Sequence, residues 1–106
     1  MTSVFKIKEK IWIYNGPAAW HFITIDKETS KKIKQIPILK RGWGSVPVNV
    51  TIGKTSWKTS IFPDKDDVYL LPIKKEIRRK EGLGEGSLIQ IKIEVIEDLG
   101  PETSAI

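Results

Sequence analysis

Three stretches of this chain alternate apolar and polar residues with a period of two: Val4–Tyr14, Val46–Ile52 and Leu88–Ile96. Every second side chain of an extended backbone meets the same face, so each stretch is a half-buried strand. In the first, Phe5, Ile7, Ile11 and Ile13 share one face, and Lys6, Lys8, Lys10, Trp12 and Tyr14 share the other. In the last, Ile89, Ile91, Ile93 and Val95 alternate with Gln90, Lys92 and Glu94. A chain of 106 residues is one domain. With this much strand it must protect its sheet edges, and closing the sheet into a barrel removes them.

The intervening residues supply the connections. Asn15-Gly16-Pro17 is a turn. Trp20–Ile25 is a short strand with Trp20, Phe22 and Thr24 opposite His21, Ile23 and Ile25. Asp26 is placed to cap a basic helix over Lys27–Gln35 that stops before Pro37. Pro47 puts the second long strand at an edge or puts its start there. Gly53-Lys54 fits a two-residue hairpin turn, returning as a strand over Thr55–Phe62. After a polar turn, Val68–Leu71 is a further strand, and Pro72 opens a helix over Ile73–Lys80 that ends at Gly82 or Gly84. Phe22–Glu28 is similar to Leu70–Glu76, 48 residues later. Each leads from a short strand through a short helix and a glycine turn to a long Val/Ile strand. Two such units close a barrel about a pseudo-twofold axis. The expected fold is all-β (β-dominated), a small closed barrel with two short helices, over residues 1–97, with 98–106 a flexible tail. A five-stranded OB barrel is the alternative; six or seven strands and a helix before the last one argue against it.

Composition narrows the function classes. There is no cysteine, which excludes disulfides, thiolate-held zinc, iron–sulfur clusters and a cysteine nucleophile, and makes a cytoplasmic location the expectation. Apolar runs are too short to span a membrane, and the first residues lack the apolar core of a signal peptide. The net charge of +5 is uneven: residues 1–53 hold nine Lys/Arg against three Asp/Glu. Such a surface attracts nucleic acid or other anions, and equally serves solubility.

The chemistry-bearing residues are few. The glycines of Gly82-Leu-Gly-Glu-Gly86 follow a helix, whereas a phosphate loop precedes one, so they are a cap and turn. Asp64, Asp66 and Asp67 lack the central Gly and late Glu of a calcium loop. His21, the sole histidine, has no nucleophile motif to serve and is expected to be hydrogen-bonded and structural. No catalytic residue, metal site or cofactor is expected. Of the four tryptophans, Trp20 and Trp57 are expected to fill the core; Trp12 and Trp43 stand equally for packing or stacking.

The stretch YLLPIKKEIRRKEGLGEGSLIQIKIEV resembles the half-barrel of AbrB/MazE-type swapped-hairpin proteins through Pro72, Arg78, Gly82, Gly86 and the Ile89/Ile91/Ile93 strand. Nearly the whole chain is similar to the DUF1905 family. The matching features are Trp20–Phe22, Val48–Gly53, Trp57–Ser60, the Phe62-Pro63 pair, Tyr69–Lys74 and Glu76–Gly86. That resemblance implies a double-split β-barrel and leaves activity open. At Ser87 the chain departs from it, since family members usually carry an acidic residue there.

Two functional expectations follow. One is a non-catalytic, monomeric binding module for a small anionic or aromatic ligand, with Trp57, Ser60, Lys74 and Arg78 around the barrel mouth. The other is nucleic-acid binding through Lys10, Trp12, Arg41 and Trp43. An enzyme is the least expected class, because no nucleophile–base pair or metal set stands out.

Overall fold

The computed structural model describes residues 2–37 and 44–96. Among them run β1 (Thr2–Lys10), β2 (Trp12–Ile13), β3 (His21–Ile25), α1 (Lys27–Lys34), β4 (Val46–Ile52), β5 (Thr55–Pro63), β6 (Tyr69–Pro72), α2 (Lys75–Glu81) and β7 (Leu88–Ile96). All strand pairs are antiparallel, in the order β1-β7-β4-β5-β6-β3-β2. The two ends of that order, β1 and β2, are consecutive in the chain. The sheet therefore curls back onto its own first strand, and the β-dominated barrel of the sequence reading is present.

The expected single strand over Val4–Tyr14 is broken at Ile11, and the break is a corner. Before it the chain pairs with β7; after it the chain pairs with β3. The Ile11 N–H donates to the Ser87 carbonyl (3.1 Å), and the Ile11 carbonyl accepts from the Gly86 N–H (2.9 Å). The glycine-rich turn before β7 thus satisfies the backbone where the strand changes partners. Strand β5 makes the same change: Thr55–Ile61 pairs with β4, and Phe62–Pro63 with β6.

These pairings carry the pseudo-twofold. Exchanging β1–β2, β3, α1 and β4 with β5, β6, α2 and β7 turns the β1·β7 ladder into β5·β4, and β2·β3 into β5·β6. The ladders β3·β6 and β4·β7 map onto themselves. Inside, the barrel is filled by branched aliphatics from both units, with Ile23, Ile25, Val48, Val50, Leu71 and Ile93 all fully buried. Burying such side chains is the main stabilising contribution.

Local chemistry places the ends. The Asp26 carboxylate caps α1, accepting from the Thr29 N–H at 3.0 Å. Gly82 ends α2 in the left-handed conformation (φ 65°, ψ 43°), and the Leu83 N–H donates to the Arg78 carbonyl at 2.8 Å. In the β4–β5 turn, Gly53 has φ 59°. A Cβ there would run into the Glu81 carboxylate, which accepts from the Thr55 hydroxyl at 2.6 Å.

One proline expectation needs correction, and for a second the structure decides between two alternatives. Pro72 does not open a helix; it ends β6 opposite Phe22, and α2 begins two residues after Ile73 with Lys74 as its N-cap residue. The chain stays extended because the Ile73 N–H still finds the His21 carbonyl, at 2.9 Å. Pro47 is the second residue of β4, so of its two alternatives the strand start holds and the edge does not, β4 being flanked on both sides. It is tolerated because the β4·β7 ladder starts one residue later, at Val48.

Candidate functional site

The alternation that fills the barrel also dictates what its outside carries. On the half formed by β2, β3, β6 and β5, the outward residues are Trp12, Phe22, Leu70 and Phe62. Register sets Trp12 beside Phe22, and Leu70 beside both Thr24 and Phe62. The hairpin between β2 and β3 folds its own aromatics onto this face. The Tyr14 N–H donates to the Trp20 carbonyl (2.8 Å), and the Tyr14 ring lies against Gly16, where a Cβ would collide with it. Trp20 stacks on Phe22 with ring centres 6.0 Å apart and 9° between planes. Trp12 tilts against Phe22 with ring centres 5.3 Å apart and donates its indole N–H to the Thr24 hydroxyl at 2.8 Å.

The result is an open groove of about 400 Å³ lined by Tyr14, Trp20, Phe22, Phe62, Leu70 and Pro72. Trp20 and Tyr14 remain about half exposed, at 54% and 53%. Trp20 is therefore not a core residue, contrary to the sequence expectation. The interior of a small barrel is already filled by branched aliphatics, and the aromatic row of β3 lies outside. Large aromatics left side by side in solvent are unusual on a protein surface. The lining holds no carboxylate, imidazole or amine; its polar side-chain groups are the Tyr14 hydroxyl and the Trp20 indole N–H.

The four residues expected around the barrel mouth do not converge. Trp57 faces inward from β5 and packs half-buried against the core, its indole N–H buried without a partner. Ser60 alternates to the opposite face of the same strand. Lys74 is exposed at the start of α2. Arg78 is held internally: its Nε donates to the Ile73 carbonyl (3.2 Å) and its Nη1 to His21 Nε2 (3.1 Å). His21 Nδ1 faces the Ala19 carbonyl at 2.9 Å, so the proton sits on Nδ1 and Nε2 accepts. The Arg78–His21 contact ties α2 to β3. Of the other four, Lys10 and Trp12 both face outward on either side of the Ile11 corner. Arg41 and Trp43 lie outside the described residues.

Among the described residues no group of three or more His, Cys, Asp or Glu is placed to hold a metal ion. Among the same described residues, no helix is long and apolar enough to cross a membrane. Among the described residues one carboxylate is perturbed. Glu9 points to the inner side of β1, and burial, then the neighbouring Asp26 charge, raises its pKa above the ordinary 4.5. A raised carboxylate pKa means the folded state holds the proton longer than the unfolded chain. Stability contributed by protonated Glu9 is thus present below the ordinary value and lost as pH rises through the raised one. Glu9→Gln is expected to be more stable than the parent at neutral pH, with the gap closing on acidification below the ordinary carboxylate range. Thermal unfolding at a series of pH values checks this.

A small antiparallel barrel of two interlocked β-β-α-β units, with an aromatic groove on its outside, is defined by the geometry. The pattern of a domain of unknown function, DUF1905, matches residues 8–93. The chain belongs to that family. No curated protein matches it. The departure at Ser87 has a structural reading: its hydroxyl accepts from the Gly84 N–H at 3.0 Å, a bond an acidic side chain can accept in the same turn.

Proposed function

We propose that this domain is a non-catalytic binding module, and that its site is the aromatic groove on the outside of β2, β3, β6 and β5. The ligand is a planar aromatic group. The observation that carries the proposal is the Trp20–Phe22 stack, left open to solvent beside Tyr14 and Phe62. A planar ring entering the groove extends an existing stack instead of building a new one, and Phe22 already contacts two indoles. The groove is lined mainly by rings and aliphatic carbon, with no carboxylate, imidazole or amine to act on what it holds, which favours binding over turnover.

Titration with indole-3-acetate and naphthalene-2-sulfonate, followed by NMR on the Trp12 and Trp20 indole N–H signals, tests this. Saturable shifts are expected at dissociation constants between about 10 µM and 1 mM, as suits an open site. Trp20→Ser and Phe62→Ser should each weaken binding by roughly 5- to 100-fold, the range of a lost aromatic stack. Shifts that do not saturate, or that the two variants leave unchanged, overturn the proposal.

A further inference from the structure

We infer that the ligand of this groove is a single strand of nucleic acid, whose phosphates follow a lysine row leading into the aromatics. The inference rests on the groove being a binding site. Its new ground is the outer face of the other barrel half.

Lys6, Lys8 and Lys10 are exposed on β1, while Ile7 and Ile11 between and after them are buried. Past the corner the same outward row continues as Trp12 and Tyr14. One run of chain thus presents three cations and then two aromatics, over at most about 26 Å of extended backbone. Lys92 on β7 lies directly opposite Lys6, and Lys8 opposite Gln90. A groove of about 610 Å³ runs between them, lined by Lys6, Lys8, Lys92, Gln90 and Thr51. Glu94 is the carboxylate on the outer side of β7. Like charges directly opposite across two strands destabilise the pair. An anion bridging Lys6 and Lys92 relieves that repulsion.

The occupant must place anions along a line, turn with the strand at Ile11, and then offer flat rings to Trp20, Tyr14 and Phe62. A single-stranded nucleic acid has all three properties. A duplex is stiff and keeps its base faces stacked inside; a simple polyanion has no rings to bring. Lysine grooves combined with aromatic platforms are how small barrels hold single strands without sequence preference.

The test uses the full chain and a fluorescein-labelled 12-nucleotide single-stranded DNA of mixed sequence, followed by anisotropy at several salt concentrations. Binding is expected to weaken with salt, with log K falling by about 0.7 per phosphate held for each tenfold rise in salt. Lys6→Gln combined with Lys8→Gln should cut affinity by about tenfold and flatten the salt slope by about 1.4. The same double variant should leave indole-3-acetate binding unchanged, whereas Trp20→Ser should weaken both ligands. Equal affinity for the duplex, or competition by inorganic polyphosphate as effective as that by the single strand, overturns the inference. So does an oligonucleotide affinity that the lysine variant does not alter. If the small aromatics bind and the oligonucleotide does not, the inference fails and the groove proposal stands. If neither binds, the groove proposal itself fails.

Discussion

Leu71→Ala is expected to lower the free energy of unfolding by about 2–5 kcal/mol, while Leu70→Ala, one residue away, costs about 1 kcal/mol. Leu71 is fully buried and sits opposite Ile23, also fully buried, in the ladder where the two halves of the barrel meet. Truncating it removes apolar contact and leaves a cavity that the surrounding Ile and Val side chains, stiff at their branch points, fill poorly. A domain of this size holds only about 5–15 kcal/mol in all, so the loss is a large share. Leu70 points the other way, half-buried at the rim of the aromatic groove. Urea unfolding of the two variants, with slopes unchanged from the parent, measures both. A reversed ranking would mean that β6 turns its other face to the core. Leu70→Ala also enlarges the groove, so it should alter aromatic-ligand affinity where Leu71→Ala, if folded, does not.

That contrast shows what the sequence made legible. Strict alternation in β1, β4 and β7 marked both the strands and their inward faces, because one face of each is charged or polar. The caps at Asp26 and Gly82 were legible for the same kind of reason: few residue types do those jobs. The 48-residue similarity made the two-unit barrel legible, but not which strands flank β3. What pattern could not assign was which side of β3 faces in. His21-Phe-Ile-Thr-Ile25 carries apolar residues on both faces, and an aromatic row looks as core-like as an isoleucine row. Only the volume available inside a small barrel decides between them, and that volume is a property of all the strands together. The groove was hidden for this reason, although its residues stood in plain view. Pro72 was misplaced for a related one. Its missing N–H suits a first helical turn and a strand end equally, and the Ile73–His21 bond that settles the matter spans distant parts of the chain.

Ser30→Ala is expected to destabilise the fold by about 2–3 kcal/mol, although nothing in the basic segment Lys27–Lys34 sets this serine apart. Ser30 is fully buried on the inner side of α1 beside Ile33. Its hydroxyl donates to the Ile25 carbonyl at 3.0 Å and accepts from the Tyr69 N–H at 3.1 Å. One oxygen therefore joins α1, the end of β3 and the start of β6. Alanine fits the space but leaves the Tyr69 N–H without an acceptor in a residue only 2% exposed, and an unsatisfied buried donor costs more than the bond itself contributes. Hydrogen exchange separates this cause from a general loosening: protection of the Tyr69 amide should fall further than that of its neighbours in the β3·β6 ladder. Ser56→Ala is the control. Ser56 also shares a hydroxyl bond, with Thr51 at 2.8 Å, but on the exposed outside of the sheet. Water replaces that partner, so the change should stay within about 0.5 kcal/mol. Equal effects at the two serines would show that burial of the Tyr69 N–H is not what makes Ser30 matter. A loss confined to Ser30→Ala would identify it as the polar tie between α1 and the central ladder of the barrel.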